Sequence, residues 1–301
     1  MLVAGTLIVG LFARAPGDAI DTLENGDSVR ATLESEWGLG GSFLARVGTG
    51  MARLSTGDFG ESLTYKPGVP VLDLVRTGVV TSAQLLLPAT LLGLVLAFGA
   101  AALAGGAGGS ALARIMRLLS GISALPLVLG ALAAVNGVNA ATWALLERGL
   151  IDRPSWFALP EEPGLVRTGL AIALLGFGSA RFAQLTRRAR SMLAVLDSAP
   201  FVAAERARGG PLVPLYARHL LVPTLRLAAD TLPALFAGLI VVERAFHLPG
   251  AGTSFWESCA HRDWPLAAGL ALAFAAGVVG LRLLSEAVAV VVDPREREAL
   301  A

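Results

Sequence analysis

Long apolar runs recur from one end of this chain to the other, most of them interrupted by one proline or a few polar residues. A helix rises about 1.5 Å per residue, so roughly 20 mostly apolar residues span a bilayer core about 30 Å thick. Five stretches meet or approach that length. They are residues 79–103, interrupted by Pro88; 118–146, holding Pro126, Asn136 and Asn139; and 168–185, with Arg181 near its end. The remaining two are 227–242, with Asp230 and Pro233, and 265–292, with Arg282 and Glu286 four apart. Prolines inside such runs are compatible with membrane helices, where neighbouring groups re-satisfy the freed backbone. Residues 1–13 are apolar but short. Ala13-Arg14-Ala15 has the form of a leader cleavage site, yet no positive charge precedes the apolar run and Pro16 follows the cut. The segment is read instead as a truncated first span. The pattern therefore predicts an all-α, polytopic membrane protein with about six transmembrane helices in a single domain over 1–301.

Composition agrees. The chain is 54% hydrophobic and only 16% charged, against about 25% charged in soluble domains. A net charge of +1 gives no bulk attraction for nucleic acid. Cys259 is the only cysteine, which excludes an internal disulfide and any cysteine-rich zinc or iron–sulfur centre. His219, His247 and His261 are dispersed and predict no metal site. The chain has no Gly-x-x-x-x-Gly-Lys phosphate loop, and Ser179 and Ser254 lie outside any Gly-x-Ser-x-Gly pattern. No catalytic residue and no cofactor are predicted, and the chain is not expected to be an enzyme by itself.

Charge placement predicts orientation. Residues 186–226 carry Arg187, Arg188, Arg190, Arg206, Arg208, Arg218 and Arg226 against only Asp197 and Glu205. The long polar segment 14–78 is richer in acidic residues, among them Asp18, Asp21, Glu24, Glu34 and Glu36. The positive-inside bias puts 186–226 in the cytoplasm, segment 14–78 mainly outside, and both termini inside.

Within the arginine-rich loop, 199–208 has the marks of a short helix. Ser198 can cap it, Pro200 fits its first turn, Gly209 ends it and Pro211 blocks continuation. Phe201, Glu205 and Arg208 fall on one side, at i, i+4 and i+7. From the residues alone, a topology-setting loop and a docking element both remain open.

A series of motifs in fixed order resembles a known family. "ARAPGDAID" (13–21), "GDFGESLTYKPGVPVLDLV" (57–75), "AERARGG" (204–210) followed by "ARHLL" (217–221), "VVERAFHLPGAG" (241–252), "HRDWPLAAG" (261–269) and "EAVAVVVDPRER" (286–297) span nearly the whole chain. Together they resemble the inner-membrane permeases of binding-protein-dependent ABC importers, in the dipeptide, oligopeptide and nickel group. The resemblance implies transport by alternating access, driven by a separate ATPase. It implies as partners a second permease subunit, two cytoplasmic ABC ATPase subunits, a periplasmic or lipoprotein substrate-binding protein, and membrane lipid. It also implies that the loop helix couples to the ATPase through Phe201, Ala203, Ala204, Glu205, Arg206, Arg208 and Gly209, with Arg218 and His219 completing the motif. The sequence departs from the family where Pro200 replaces an acidic residue, and where Gly210, Pro211 and Pro214 replace a more helical continuation. Those departures leave a decayed, non-transporting membrane scaffold as the alternative. Charged and amide groups in apolar spans commonly face a bundle interior or a solute path. Asp230 and Asn136 are the candidates here, whereas Arg282 and Glu286 are expected to pair with each other at i, i+4.

Overall fold

The structure, a computed structural model, describes residues 2–14, 42, 47–48, 50, 52, 57–106, 111–151, 164–178 and 180–292. Most of the Ala-Pro-Gly-Asp run and the whole 293–301 tail lie outside them. Among the described residues the elements are helical, with one isolated antiparallel bridge between Glu61 and Pro70. In chain order they are α1 (Leu2–Ala13), α2 (Val71–Gly106), α3 (Ala111–Ile122), α4 (Leu127–Glu147) and α5 (Leu165–Phe177). Then follow α6 (Arg181–Asp197), α7 (Pro200–Ala207), α8 (Leu212–Ala245), α9 (Ala251–Ala260) and α10 (Trp264–Val292).

Four helices, α2, α4, α8 and α10, are long and apolar enough to cross a membrane, and α5 with α6 make a fifth if that bent pair is one span. The expected count of six is not reached among the described residues. Two features account for the lower count, the 12-residue length of α1 and the bend between α5 and α6, and a break at Pro126 shortens a third expected span without removing it. The expected span 118–146 is interrupted at Pro126, which has no N–H to continue a helix and stands as the N-cap of α4. The expected span 168–185 bends by 52° between α5 and α6. There Gly178 is extended and Ala180 sits at φ 59, a left-handed conformation costly for a residue with a β-carbon. Conversely, 227–242 is only part of the much longer α8, which runs through Pro223 and Pro233. Apolar side chains also face outward: Leu87, Leu91 and Val95 make an exposed stripe along α2, as expected for a surface that lipid covers.

Contacts divide the chain into two compact units, one of residues 1–84 with 247–279 and one of 85–246 with 280–301. The first is built on Val71, Val75, Ala251, Leu266 and Leu270, with Phe59, Tyr65, Phe255 and Phe274 packed around them. Its 57–70 loop follows from its motif. Gly57, Gly60 and Gly68 all take left-handed φ, and the Asp58 carboxylate accepts the Gly60 N–H at 2.8 Å. Asp263, fully buried, then ties this loop to the start of α10. Its Oδ2 accepts from Ser62 Oγ (2.5 Å) and from the N–H groups of Leu63 (3.0 Å), Thr64 (3.2 Å) and Tyr65 (3.1 Å). Ser82 accepts the Ala251 N–H at 2.8 Å, supplying the N-terminus of α9 with a partner that Gly250 lacks.

In the second unit α8 is the hub, packed on α4, α5, α6 and α7. Helices α2 and α5 approach at two glycines. A β-carbon on Gly93 would lie 2.9 Å from the Gly176 carbonyl oxygen, and one on Gly176 would lie 2.7 Å from that of Ala89. Small residues at such contacts allow close backbone packing between membrane helices.

Candidate functional site

The short helix anticipated in the arginine-rich loop is present as α7, with eight residues rather than ten. Pro200 occupies its first turn, where a missing N–H costs nothing. Its cap differs from expectation: Ala199 is the N-cap, with no side-chain hydrogen bond, and Ser198 closes the preceding helix by donating to Val195 O at 2.9 Å. The C-terminus is a Schellman turn. The Gly210 N–H reaches Glu205 O at 3.1 Å, the Gly209 N–H reaches Arg206 O at 3.2 Å, and Gly209 stands at φ +68. The Glu205 side chain folds over Gly210 so closely that a β-carbon there would fall 1.9 Å from its Oε1. Gly209 ends the short helix, and Pro211 is the N-cap of α8, so the chain enters the next helix at once and Pro214 sits in its first turn.

Three contacts mount α7 on its neighbours. Val202 is fully buried. The Phe201 ring stacks on His219 at 4.7 Å between centroids, and the His219 Nδ1 lies 2.8 Å from Leu215 O. Asp197, the last residue of α6, accepts from Arg206 at 3.1 Å and from the Tyr216 hydroxyl. Three of the expected coupling residues, Phe201, Arg206 and His219, therefore hold α7 against its neighbours. Ala203, Ala204, Arg208, Gly209 and Arg218 are exposed. Arg208 lies 3.9 Å from Glu205 across one turn.

About three turns from Asp197 along α6, a cavity of about 440 Å³ opens within the same unit. Arg181, Gln184 and Arg188 line it from one face of α6, and Asp230 and Thr231 face them from α8. Arg181 is buried and donates to Leu175 O near the end of α5. Arg188 meets Asp230 at 3.4 Å, and Arg282 of α10 approaches the other oxygen of Asp230 at 3.7 Å. Of the two sequence candidates for a path, Asp230 lines this cavity. Asn136 is exposed on α4 and is not among the lining residues.

The expected Arg282–Glu286 pair is not formed. Glu286 instead receives Arg226 through Nε at 3.1 Å and an Nη at 2.8 Å, while Arg282 turns to Asp230. Local i, i+4 spacing loses to partners on α8 that sequence adjacency does not reveal. Sequence reasoning also passed over Asp197 and Arg181. The first was counted only as a charge and the second only as a span boundary.

The chain is 29% identical over 252 residues to the dipeptide transport system permease protein of Lactococcus lactis, covering 82% of this chain and 78% of the relative. The chain is similar to peptide-transport permeases over most of its length. The oligopeptide transport system permease protein of Salmonella typhimurium is 26% identical over 277 residues, covering 89% of this chain and 85% of the relative. The nickel import system permease protein of Staphylococcus aureus is 30% identical over 119 residues, 38% of this chain and 36% of the relative. No protein-family model matches the chain. The chain that carries α7 and the charged cavity is thus alignable to peptide-transport permeases over most of its length.

Proposed function

We propose that this chain is a permease subunit of an ABC importer, passing a small solute such as a peptide or nickel complex inward across the inner membrane by alternating access. It pairs with a second permease chain and receives work from two cytoplasmic ATPase subunits, with an external binding protein delivering the solute. ATP hydrolysis belongs to the partner chains. The observation that carries the reading is α7 itself: a short helix, sharply closed by Gly209 and mounted on the ends of both α6 and α8, in a homologue of import permeases. On this reading α7 docks in the ATPase through Ala203, Ala204, Arg208 and the exposed edge of Phe201, and both termini are cytoplasmic, as the arginine bias supports. The solute path runs along the cavity that Asp230 lines. The scaffold alternative drew on the prolines after Gly209, and it loses weight because Pro211 and Pro214 sit at the start of a continuous α8.

The test is co-purification with a cognate ABC ATPase, comparing wild type with Gly209→Asp and Glu205→Arg. Retention of the ATPase by wild type and its loss in the variants is the expected result. An ATPase that never co-purifies, or that binds both variants fully while transport continues, overturns the reading.

A further inference from the structure

The cavity walls carry a charge pattern that the path reading does not by itself require. Arg181, Gln184 and Arg188 stand at i, i+3 and i+7, so one face of α6 presents two guanidiniums and an amide to the same space. Across it, Asp230 is already shared between Arg188 and Arg282. The lining thus carries two guanidiniums, Arg181 and Arg188, against one carboxylate that Arg282 also approaches, leaving a surplus of positive charge. Among the described residues Arg181 has only the neutral Leu175 carbonyl as hydrogen-bond acceptor, although its residue is 6% exposed. A buried cation without an anionic partner is costly unless something negative completes it. The rest of the wall is apolar, including Leu127, Leu185 and Leu227. Its volume lies within the range of small-molecule sites, roughly 300–1,000 Å³.

We propose that this cavity binds the carboxylate of the transported solute, with Arg181 as its principal partner, Gln184 and Arg188 beside it, and the apolar wall taking the solute's body. The assignment rests on the import-permease reading and adds to it a substrate class: small solutes bearing a free carboxylate. A peptide C-terminus and a metal-carrying organic acid share that chemistry, so the test includes both.

The experiment uses the full chain in lipid nanodiscs with Cys259 replaced by Ser and Thr231→Cys placed in the cavity wall. Labelling rates are measured with an anionic sulfonatoethyl and a cationic trimethylammonioethyl methanethiosulfonate, each normalised to its rate with free cysteine. A cationic cavity should favour the anionic reagent by about tenfold, the factor that ~1.4 kcal/mol of charge attraction gives. Arg181→Gln should move that ratio toward one and Arg181→Lys should keep it. Arg188→Gln serves if the first variant does not fold. Millimolar trialanine should slow labelling where trialaninamide does not, and citrate in place of trialanine identifies an organic acid as the source. A ratio at or below one, a ratio indifferent to Arg181→Gln, equal protection by trialanine and its amide, or no labelling by either reagent overturns the proposal. None of these readouts needs the ATPase. Failure here with successful co-purification removes the carboxylate site alone, and failed co-purification with a positive result here removes the coupling reading alone.

Discussion

Asp263 is where one atom holds the most structure, and replacing it gives the sharpest prediction. Its Oδ2 receives three backbone N–H groups and the Ser62 hydroxyl, and its Oδ1 faces the Leu266 N–H at 3.4 Å, at the first turn of α10. Hydrogen bonds to a charged acceptor are worth about 1.5–3 kcal/mol each. Summing four of them overshoots, because Leu63, Thr64 and Tyr65 are only half-buried and their N–H groups can regain water, and because a buried carboxylate is itself costly to desolvate. The net loss for Asp263→Ala should therefore lie near that of deleting one partner of a buried ion pair, about 3–5 kcal/mol. Asp263→Asn keeps one oxygen as a neutral acceptor, so it should lose about half as much. The assay is SDS-induced unfolding followed by tryptophan fluorescence, with amide hydrogen exchange read at 63–65. Exchange there should accelerate in the Ala variant before global unfolding begins. As a control, Asp58→Ala removes an exposed turn contact to Gly60 and should cost under about 1 kcal/mol. If Asp263→Ala stays within about 0.5 kcal/mol of wild type, with exchange at 63–65 unchanged, the carboxylate is not what holds the loop.

Gly176→Ala should destabilise by about 1–3 kcal/mol, because its β-carbon meets a backbone oxygen that cannot move aside. Gly99→Ala, whose β-carbon meets nothing within 4 Å, should be neutral or stabilising by about 0.5–1 kcal/mol, and the same unfolding titration compares them. At Gly209 there is also open space, so only the positive φ opposes substitution: Gly209→Val should cost about 1–2 kcal/mol and Gly209→Asn clearly less, measured by thermal unfolding. Burial raises the Cys259 thiol pKa above its usual value, against a smaller opposing effect of its hydrogen bond with Ser258. Since only the thiolate reacts, alkylation of this single cysteine should lag behind free cysteine at pH 8 and catch up only at higher pH. A rate equal to that of free cysteine at pH 8 would show a solvated thiol.

Much of the fold was legible because hydropathy reports burial in lipid directly. The all-α class and the cores of α2, α4, α8 and α10 follow from apolar length alone. The short α7 was legible for a different reason: Pro200 and Gly209 are both residues whose backbone preferences mark helix ends. What escaped was governed by partners distant in sequence or by backbone geometry. Asp263 and Ser62 are 201 residues apart, and although both fall in motif segments, nothing local says that one accepts from the other. Arg282 and Glu286 had a plausible local partner in each other, and α8 offered better ones. The bend at Gly178–Ala180 was invisible to hydropathy because small residues scarcely interrupt an apolar run. For the candidate site, residue types pointed to α7 and to Asp230, whereas the cavity needed the bend that turns Arg181 inward.

On the proposed reading, the geometry gives a reason for α7 and the cavity to occupy one unit. The two helices that leave the α7 mount are the two whose charged faces meet across the cavity. From Asp197 back to Arg188 is about 13 Å along α6, and from Tyr216 forward to Asp230 about 21 Å along α8, at 1.5 Å per residue. At the near end Asp197 joins the helices through Arg206 and Tyr216; farther along, Arg188 and Asp230 join them again. A push on α7 therefore reaches both helices together and is resisted at the far end by an ion pair. That pair is more than half exposed, and such pairs hold by only about 0–1 kcal/mol. Thermal energy at 25 °C is about 0.6 kcal/mol, so a contact of that strength is readily broken and remade. On the proposed reading, that is what a path opened once per cycle demands: a weak joint where the solute passes, and, where force enters, an equally exposed ion pair backed by the buried Val202 and the Phe201–His219 stack.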